Sequence, residues 1–365
     1  MSFAVNLPLN DVSFGQVSII FLKTYLENIE KYGEKISALL PVMNQLTFES
    51  FVKDEKFDSF IRDLLQKGNL HNKKTPVFKL WHLHESLQSY SNDQTLFSFY
   101  ELDQPTQYEL NIARNNKMAF SSKYTIDIFK SFGVESNYIP LCFDDFSFKR
   151  NEKKYFSDDR IVFNLVGKFE KRKNHEKIIR SWIKKYGNNR NYYLQCAVFN
   201  GHLPDAEKQY QMISQALTDG GKYFNVHFLP RMAQNSVYND FLNSGDIVLG
   251  MSGGEGWGLP EFHSVALGKH SVILNATGYK EWATNENSVL VEPSQKIEAY
   301  DNFFFKKGAS INQGNIFDFN EDDFINGCEQ AIKRVMLNKK NEKGIELQSE
   351  FSRQRMTDTI INLMN

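Results

Sequence analysis

The sequence predicts an α/β protein made of two Rossmann-like domains, with parallel sheets facing across a cleft. Three observations carry this. Apolar runs of strand length alternate with stretches of helical period along the chain, which implies parallel strands joined by helical crossovers. The series runs twice, on either side of a polar, charged stretch at 145–160 that reads as the linker. A length of 365 residues suits two domains of ordinary size.

The first series opens with a strand at 3–7. A turn around Ser13-Phe14-Gly15 follows, then a helix with Val17, Ile20, Phe21 and Tyr25 on one face. Residues 36–41, 77–83 and 96–100 read as strands, 121–132 as a helix, and 138–141 as the extended segment after it. The second series starts with a strand at 161–166 and continues with strands at 192–198, 226–229, 246–251, 271–274 and 288–291. Residues 341–365 read as one helix. The expected domains are therefore 1–150, 158–340, and a C-terminal helix at 341–365.

Composition narrows the function classes. A 41% hydrophobic content supports sizeable cores, and 31 Phe among 14% aromatic residues makes them aromatic-rich. The net charge of −1 gives no overall electrostatic signature for nucleic acid or anionic membrane, so such binding would need a local patch. Lys149, Arg150, Lys153 and Lys154 are the candidates for one. Cys142, Cys196 and Cys328 are odd in number and lack metal spacing, which fits a reducing compartment. The N-terminal residues do not read as a signal peptide, and no apolar run approaches a membrane span of about 20 residues. The expected localisation is cytoplasmic, with peripheral membrane contact allowed and no integral segment.

The densest chemistry lies at 253–263, Gly-Gly-Glu-Gly-Trp-Gly-Leu-Pro-Glu-Phe-His, between a strand and a short helix. Glycines at 253, 254, 256 and 258 remove side chains that would keep a ligand off the backbone. A helix starting near Pro260 would aim free N–H groups and its positive dipole end at the same space. Such a site suits an anionic ligand rich in hydroxyls, at a strand's carboxyl end where open α/β sheets bind ligands. The plainer alternative is a tight turn with glycines for geometry alone.

This segment resembles the donor-binding segment of retaining GT-B glycosyltransferases of family 4. The family pattern is acid-Gly-aromatic-Gly-Leu-Pro, a second acid eight positions after the first, then Ala-x-Gly. Glu255, Gly256, Trp257, Gly258, Leu259 and Pro260 fit, as do Ala266 and Gly268. Position 263 is His263 instead of the second acid, and Glu261 falls two residues short of it. The resemblance covers about 160–300 closely and 95–145 loosely, and implies a GT-B fold whose last helix crosses back onto the first domain.

A second constellation is Gly167-Lys168-Phe169-Glu170-Lys171-Arg172-Lys173, between the first strand of the second series and a helix burying Ile178, Ile179, Trp182 and Ile183. Lys168, Arg172 and Lys173 place positive charge where a diphosphate would lie, or else form a solvated basic turn. In the resembling family an Arg after the Gly and a Lys five residues on hold the donor diphosphate. Lys168 and Lys173 stand at those positions. Thr277-Gly278-Tyr279-Lys280-Glu281 follows a later strand where the family often has a Gly and an acid.

The expected catalytic residues are thus Glu255, Lys168 and Lys173. Expected donor-binding residues are Gly167, Arg172, Gly254, Gly256, Trp257, Gly258, Leu259, His263, Gly278 and Glu281. His263 is expected at the nucleotide ribose, the alternative being a core histidine. In the first domain Gly15, His84 and Glu101 are acceptor-side candidates. Alternation puts His82 and His84 on one strand face, as a metal pair or a hydrogen-bonding pair; no metal site is expected.

The resemblance implies a metal-independent glycosyltransferase that moves a hexosyl or pentosyl group from a nucleotide-diphosphate sugar to an acceptor hydroxyl with retention. A UDP-sugar is the expected co-substrate, and no separate cofactor is expected. The expected acceptor is a carbohydrate or glycolipid in surface polysaccharide or glycolipid synthesis. Alternatives are a modified base in phage DNA, a non-catalytic glycosyltransferase-like partner subunit, and a nucleotide-sugar epimerase.

Overall fold

The structure is a computed structural model that describes residues 2–10, 12–42, 54–86 and 88–365. Its chain divides into two compact units. The first comprises Met1–Ser147, Gly308–Gln313 and Gln348–Asn365; the second comprises Phe148–Lys307 and Gly314–Leu347.

The first unit holds a parallel sheet of β1 (Phe3–Leu7), β2 (Ile36–Pro41), β3 (Val77–Leu80), β4 (Gln94–Ser98), β5 (Lys117–Phe120) and β6 (Ser136–Tyr138), in the order β2-β1-β3-β4-β5-β6. Its helices are α1 (Ser13–Glu27), α2 (Ile29–Tyr32), α3 (Glu55–Gly68), α4 (Gln107–Arg114) and α5 (Lys123–Ser131). The central strands are buried apolar runs because both faces of a parallel sheet are covered. Phe21, Phe78 and Phe97 pack in series on one another, which is where part of the aromatic content goes. Each such ring removed from water contributes about 1.5–3 kcal/mol.

The second unit repeats the theme with β7 (Ile161–Val166), β8 (Tyr192–Ala197), β9 (Val226–Phe228), β10 (Ile247–Gly250), β11 (His270–Leu274) and β12 (Val289–Val291). The order is β12-β11-β10-β7-β8-β9, all parallel, the doubly wound arrangement. Its helices are α6 (His175–Tyr186), α7 (Ala206–Leu217), α8 (Asn235–Ser244), α9 (Leu259–Ala266), α10 (Glu321–Leu337) and α11 (Glu342–Glu350). Phe163, Leu165, Ile178, Trp182, Leu249 and Val272 lie at the centre of its core. The direction of winding changes between β7 and β10, so a crevice opens at their carboxyl ends. An antiparallel hairpin, β13 (Gln295–Glu298) with β14 (Asn315–Asp318), adds to this unit.

Three readings of the sequence need correction. The segment 341–365 is two helices, α11 and α12 (Arg353–Leu363), because the Ser352 hydroxyl accepts the Arg355 N–H and starts a new helix. The α12 helix packs on α1 in the first unit, where Asp358 takes bonds from Lys31 and Tyr32 at 2.7 and 2.8 Å. The polar stretch at 145–160 is partly anchored: Phe148 is buried, the Lys149 N–H donates to Asn239, and Asn151 bonds Asn243 and Asp240. Finally, β3 ends at Leu80 and Leu83–Glu85 is a short 3-10 turn, so strand alternation does not pair His82 with His84. Their ring centroids are still 5.5 Å apart, brought there by the turn.

Candidate functional site

The second unit gathers three turns at the carboxyl ends of neighbouring strands: Gly167–Lys173 after β7, the glycine loop after β10, and Thr277–Glu281 after β11. Backbone contacts hold them together. The Gly253 N–H donates to the Arg172 carbonyl at 2.8 Å, and the Gly253 carbonyl accepts from Phe317 of β14 at 2.9 Å. The Gly278 N–H donates to the Glu255 carbonyl at 2.9 Å, and the Thr277 hydroxyl accepts the Glu255 N–H at 3.1 Å. Asn174, in the left-handed region at φ 56°, ends the basic turn and bonds the Met251 carbonyl.

Two glycines are required by their backbone conformation or by what touches them. Gly258 has φ +83° as it leads into α9, and a Cβ there would lie 2.2 Å from the Tyr279 ring. At Gly167, φ is +102° and the Lys173 side chain passes 3.3 Å from where a Cβ would stand. At Gly167 the positive φ is what a side chain would strain, since the flexible end of Lys173 need give only a few tenths of an ångström.

Charge concentrates on Glu255. Its carboxylate is in direct contact with the Lys173 ammonium and lies 2.9 Å from Arg172 Nη1. Arg172 also donates to the Gly254 carbonyl at 2.7 Å and has its Nε 2.8 Å from Glu170. Lys173 is only 6% exposed, and Arg172, Glu170 and Glu255 are buried with it. Burial pushes the Glu255 carboxyl upward, but the Lys173 and Arg172 charges outweigh it and hold it at about 2. Glu170 is held low in the same way by Arg172, Lys168 and Lys173 against its own burial. Lys173 is raised, since Glu255 and Glu261 outweigh the cost of burying an ammonium.

Of the expected site residues, Glu255, Lys173, Arg172, Gly167, Gly254, Gly256, Gly258 and Gly278 therefore belong to one assembly. Lys168 stands at its edge, its side chain 45% exposed and its ammonium 3.6 Å from Glu170. Trp257 and Leu259 are buried: the Trp257 ring packs edge-on to Phe262, and its carbonyl accepts the Trp282 indole N–H at 2.9 Å. Glu281 ends the 3-10 turn, partly exposed. His263 is placed in aromatic packing, its ring 4.7 Å from Phe148 and 5.5 Å from Phe262. Burial there pushes it down to about 3, so the ring is neutral. That is the surrounding of a core histidine.

Sequence reading missed the role of Glu170, the bracing by Thr277 and Phe317, and the burial of Glu261 in the first turn of α9. Alternation of charge within 168–173 was the only available sign for Glu170.

In the first unit the acceptor-side candidates follow neighbouring strands as well. Gly15 lies in the first turn of α1, so close to the loop after β1 that a Cβ would meet the Asn10 carbonyl at 2.2 Å. Phe14 beside it packs on His82 at 4.6 Å and stacks on Phe99 at 4.3 Å. His84 follows β3 and Glu101 follows β4, so all three sit at carboxyl ends of the sheet.

Two doubly wound parallel sheets, each with its own polar carboxyl-end turns, define the GT-B architecture. Comparison with solved structures agrees over the whole chain. It is similar to sucrose-phosphate synthase from Thermosynechococcus elongatus, at 12% identity over 99% of this chain and 98% of that one, TM-score 0.64. It is similar to WaaG, a glycosyltransferase involved in lipopolysaccharide biosynthesis, at 9% identity over 100% and 99%, TM-score 0.64. Anabaena HepE in complex with UDP and glucose aligns at 13% identity over 99% of both chains, TM-score 0.60. No protein-family model and no curated relative matches the chain.

Proposed function

We propose that this protein is a glycosyltransferase that transfers a sugar from a nucleotide diphosphate to an acceptor hydroxyl. The observation that carries this is the buried Lys173–Glu255–Arg172 cluster at the switch point of the second sheet, beside the start of α9. Two buried cations with an internal carboxylate partner make a place for a dianion. A diphosphate entering there competes with Glu255 for Lys173 and Arg172 and frees that carboxylate for sugar hydroxyls. As the glycosidic bond lengthens, charge grows on the leaving phosphate oxygens. Lys173, Arg172 and the N-terminal end of α9 then interact more strongly than with the bound donor, which lowers the barrier.

The donor we assign is a UDP-sugar, a hexose or pentose, supported by the fold shared with HepE, whose structure holds UDP and glucose. The reaction we assign retains the anomeric configuration, with the departing phosphate accepting the acceptor's proton, so neither a side-chain base nor a metal is needed. The acceptor is a carbohydrate or glycolipid of surface polysaccharide synthesis, and the work is done in the cytoplasm. Among the described residues no helix is long and apolar enough to cross a membrane. A base in DNA remains the second acceptor class to assay.

One observation favours a different reading. His263 stands where the family has its second acid, and it is packed among aromatic rings. That suits a subunit that keeps the fold and binds nucleotide without transfer. Incubation with UDP-, GDP- and ADP-sugars separates the readings. Transfer or slow donor hydrolysis supports the enzyme, binding without turnover the subunit, and epimerised donor a nucleotide-sugar epimerase.

A further inference from the structure

Glu261 has no part in the assignment above, yet it is the most sequestered carboxyl of the site. It lies in the first turn of α9, 2% exposed, with its Cγ 3.0 Å from where a Cβ on Gly250 would stand at the end of β10. Its Oε2 is sealed from solvent, and the side-chain hydrogen bond it has is with the neutral Tyr279 hydroxyl, not with a cation. The groups that face it are Lys173 from the basic turn, Glu255 from the glycine loop, Tyr279 from the 3-10 turn and Tyr238 from α8. Arg172 acts on the same Tyr279 hydroxyl.

The charges in this volume do not match. Lys173 and Arg172 are the buried cations, and Glu170, Glu255 and Glu261 are three buried carboxyls, with Lys168 at the exposed edge. Glu170 and Glu255 have ion-pair partners at contact distance, whereas Glu261 feels Lys173 only through space and has the neutral Tyr279 hydroxyl as its hydrogen-bond partner. A bound diphosphate adds at least two negative charges beside the same cations. In a site closed to water that excess is relieved most readily at the carboxyl with the weakest compensation.

We propose that Glu261 balances the charge of the donor site, taking a proton from solvent when a nucleotide diphosphate binds beside Lys173 and returning it when the diphosphate leaves. The proton adds to a carboxyl oxygen, so no other bond changes. Burial and Glu255 both push the Glu261 carboxyl above its ordinary range before any ligand arrives, which agrees in direction. This rests on the reading of the Lys173 cluster as the diphosphate site. Glu261 is a positioning residue: it sets how much net charge Lys173 offers to the leaving group.

The test uses UDP and the full chain. Calorimetric titrations in two buffers of different ionisation enthalpy, across about pH 6 to 8, read the protons exchanged per UDP bound. Subtracting E261Q from wild type removes the titration of UDP itself. The expected result is uptake approaching one proton in wild type beyond that of E261Q, and a wild-type affinity that falls with rising pH up to tenfold per unit more steeply than that of E261Q. Difference infrared spectra of wild type should also gain the carbonyl band of a protonated carboxyl on adding UDP, a readout that does not depend on E261Q folding. Equal proton exchange in E261Q and wild type, or no new carbonyl band, overturns the proposal. Failure of the site reading looks different: wild type does not bind UDP, or K173A binds it as tightly as wild type.

Discussion

Arg172 Nη1 lies 2.9 Å from Glu255 Oε1 and 2.7 Å from the Gly254 carbonyl, so one guanidinium holds both the acid and the backbone of the glycine loop. The loop is thus pinned to the turn after β7 by charge as well as by the Gly253–Arg172 backbone bond. What binds at either turn must act on both.

Lys173→Ala is expected to weaken UDP binding by about 1.5–3 kcal/mol, the worth of one charge-assisted contact. The suitable control is Lys184→Ala on the exposed part of α6. Lys177 will not serve, because its ammonium bonds Asp318 at 2.8 Å and the Phe319 carbonyl, so its loss disturbs β14. Equal, small losses at 173 and 184 would show that the cluster does not bind phosphate.

Glu255→Gln should keep or slightly improve UDP affinity, since it removes the internal competitor for Lys173 and Arg172, while transfer falls by orders of magnitude. Binding by calorimetry and turnover with UDP-sugars read the two separately. Collapse of UDP binding would move Glu255 from the sugar to the nucleotide.

Gly258→Ala should destabilise the second unit by about 2–4 kcal/mol, combining a disfavoured positive φ with a clash on the Tyr279 ring. Thermal or urea unfolding reads this directly. A second change, Tyr279→Leu, should recover the part due to the clash and leave the part due to φ. An unaltered midpoint for the single variant would mean that the loop does not adopt this turn.

His263 gives a pH prediction with a definite sign. Its folded value is about 3, below the ordinary 6.5, so the unfolded chain binds the proton first. Its contribution is complete above about 6.5 and is lost as pH falls toward about 3, at about 1.4 kcal/mol per pH unit. Urea midpoints of wild type and His263→Leu at about pH 7 and 5 isolate it, because other groups cancel in the difference. A difference that does not change with pH would mean that the ring is reached by solvent.

His263→Glu tests the same residue for function. Placing a carboxylate between Phe148 and Phe262 should cost several kcal/mol of stability. A well-folded variant with tighter UDP binding would instead return position 263 to the ribose.

Much of the second unit was legible because local rules agree there. Apolar runs of strand length, a glycine loop and a Pro in the first turn of a helix all specify β10, the loop and α9 without help from distant residues. The short strand β5, the α3 and α4 helices and the β13–β14 hairpin were not read. β5 offers only Met118, Ala119 and Phe120 after a lysine, too short an apolar run to stand out, and a hairpin edge earns its place only from its partners.

The sequence by itself determined the α/β alternation, the basic turn and the glycine-rich acid loop, since each is encoded within ten residues or so. Only the tertiary structure decided which charges meet. It set Lys173 and Arg172 on Glu255, left Lys168 at the edge, and buried His263 among aromatic rings. A strand order that places β10 beside β7 joins residues 83 apart in sequence, and a local pattern holds no information about that pairing. Side-chain direction settles the rest. Lys173 folds back past Gly167 into the cluster, while Lys168, one residue after the same glycine, turns to solvent.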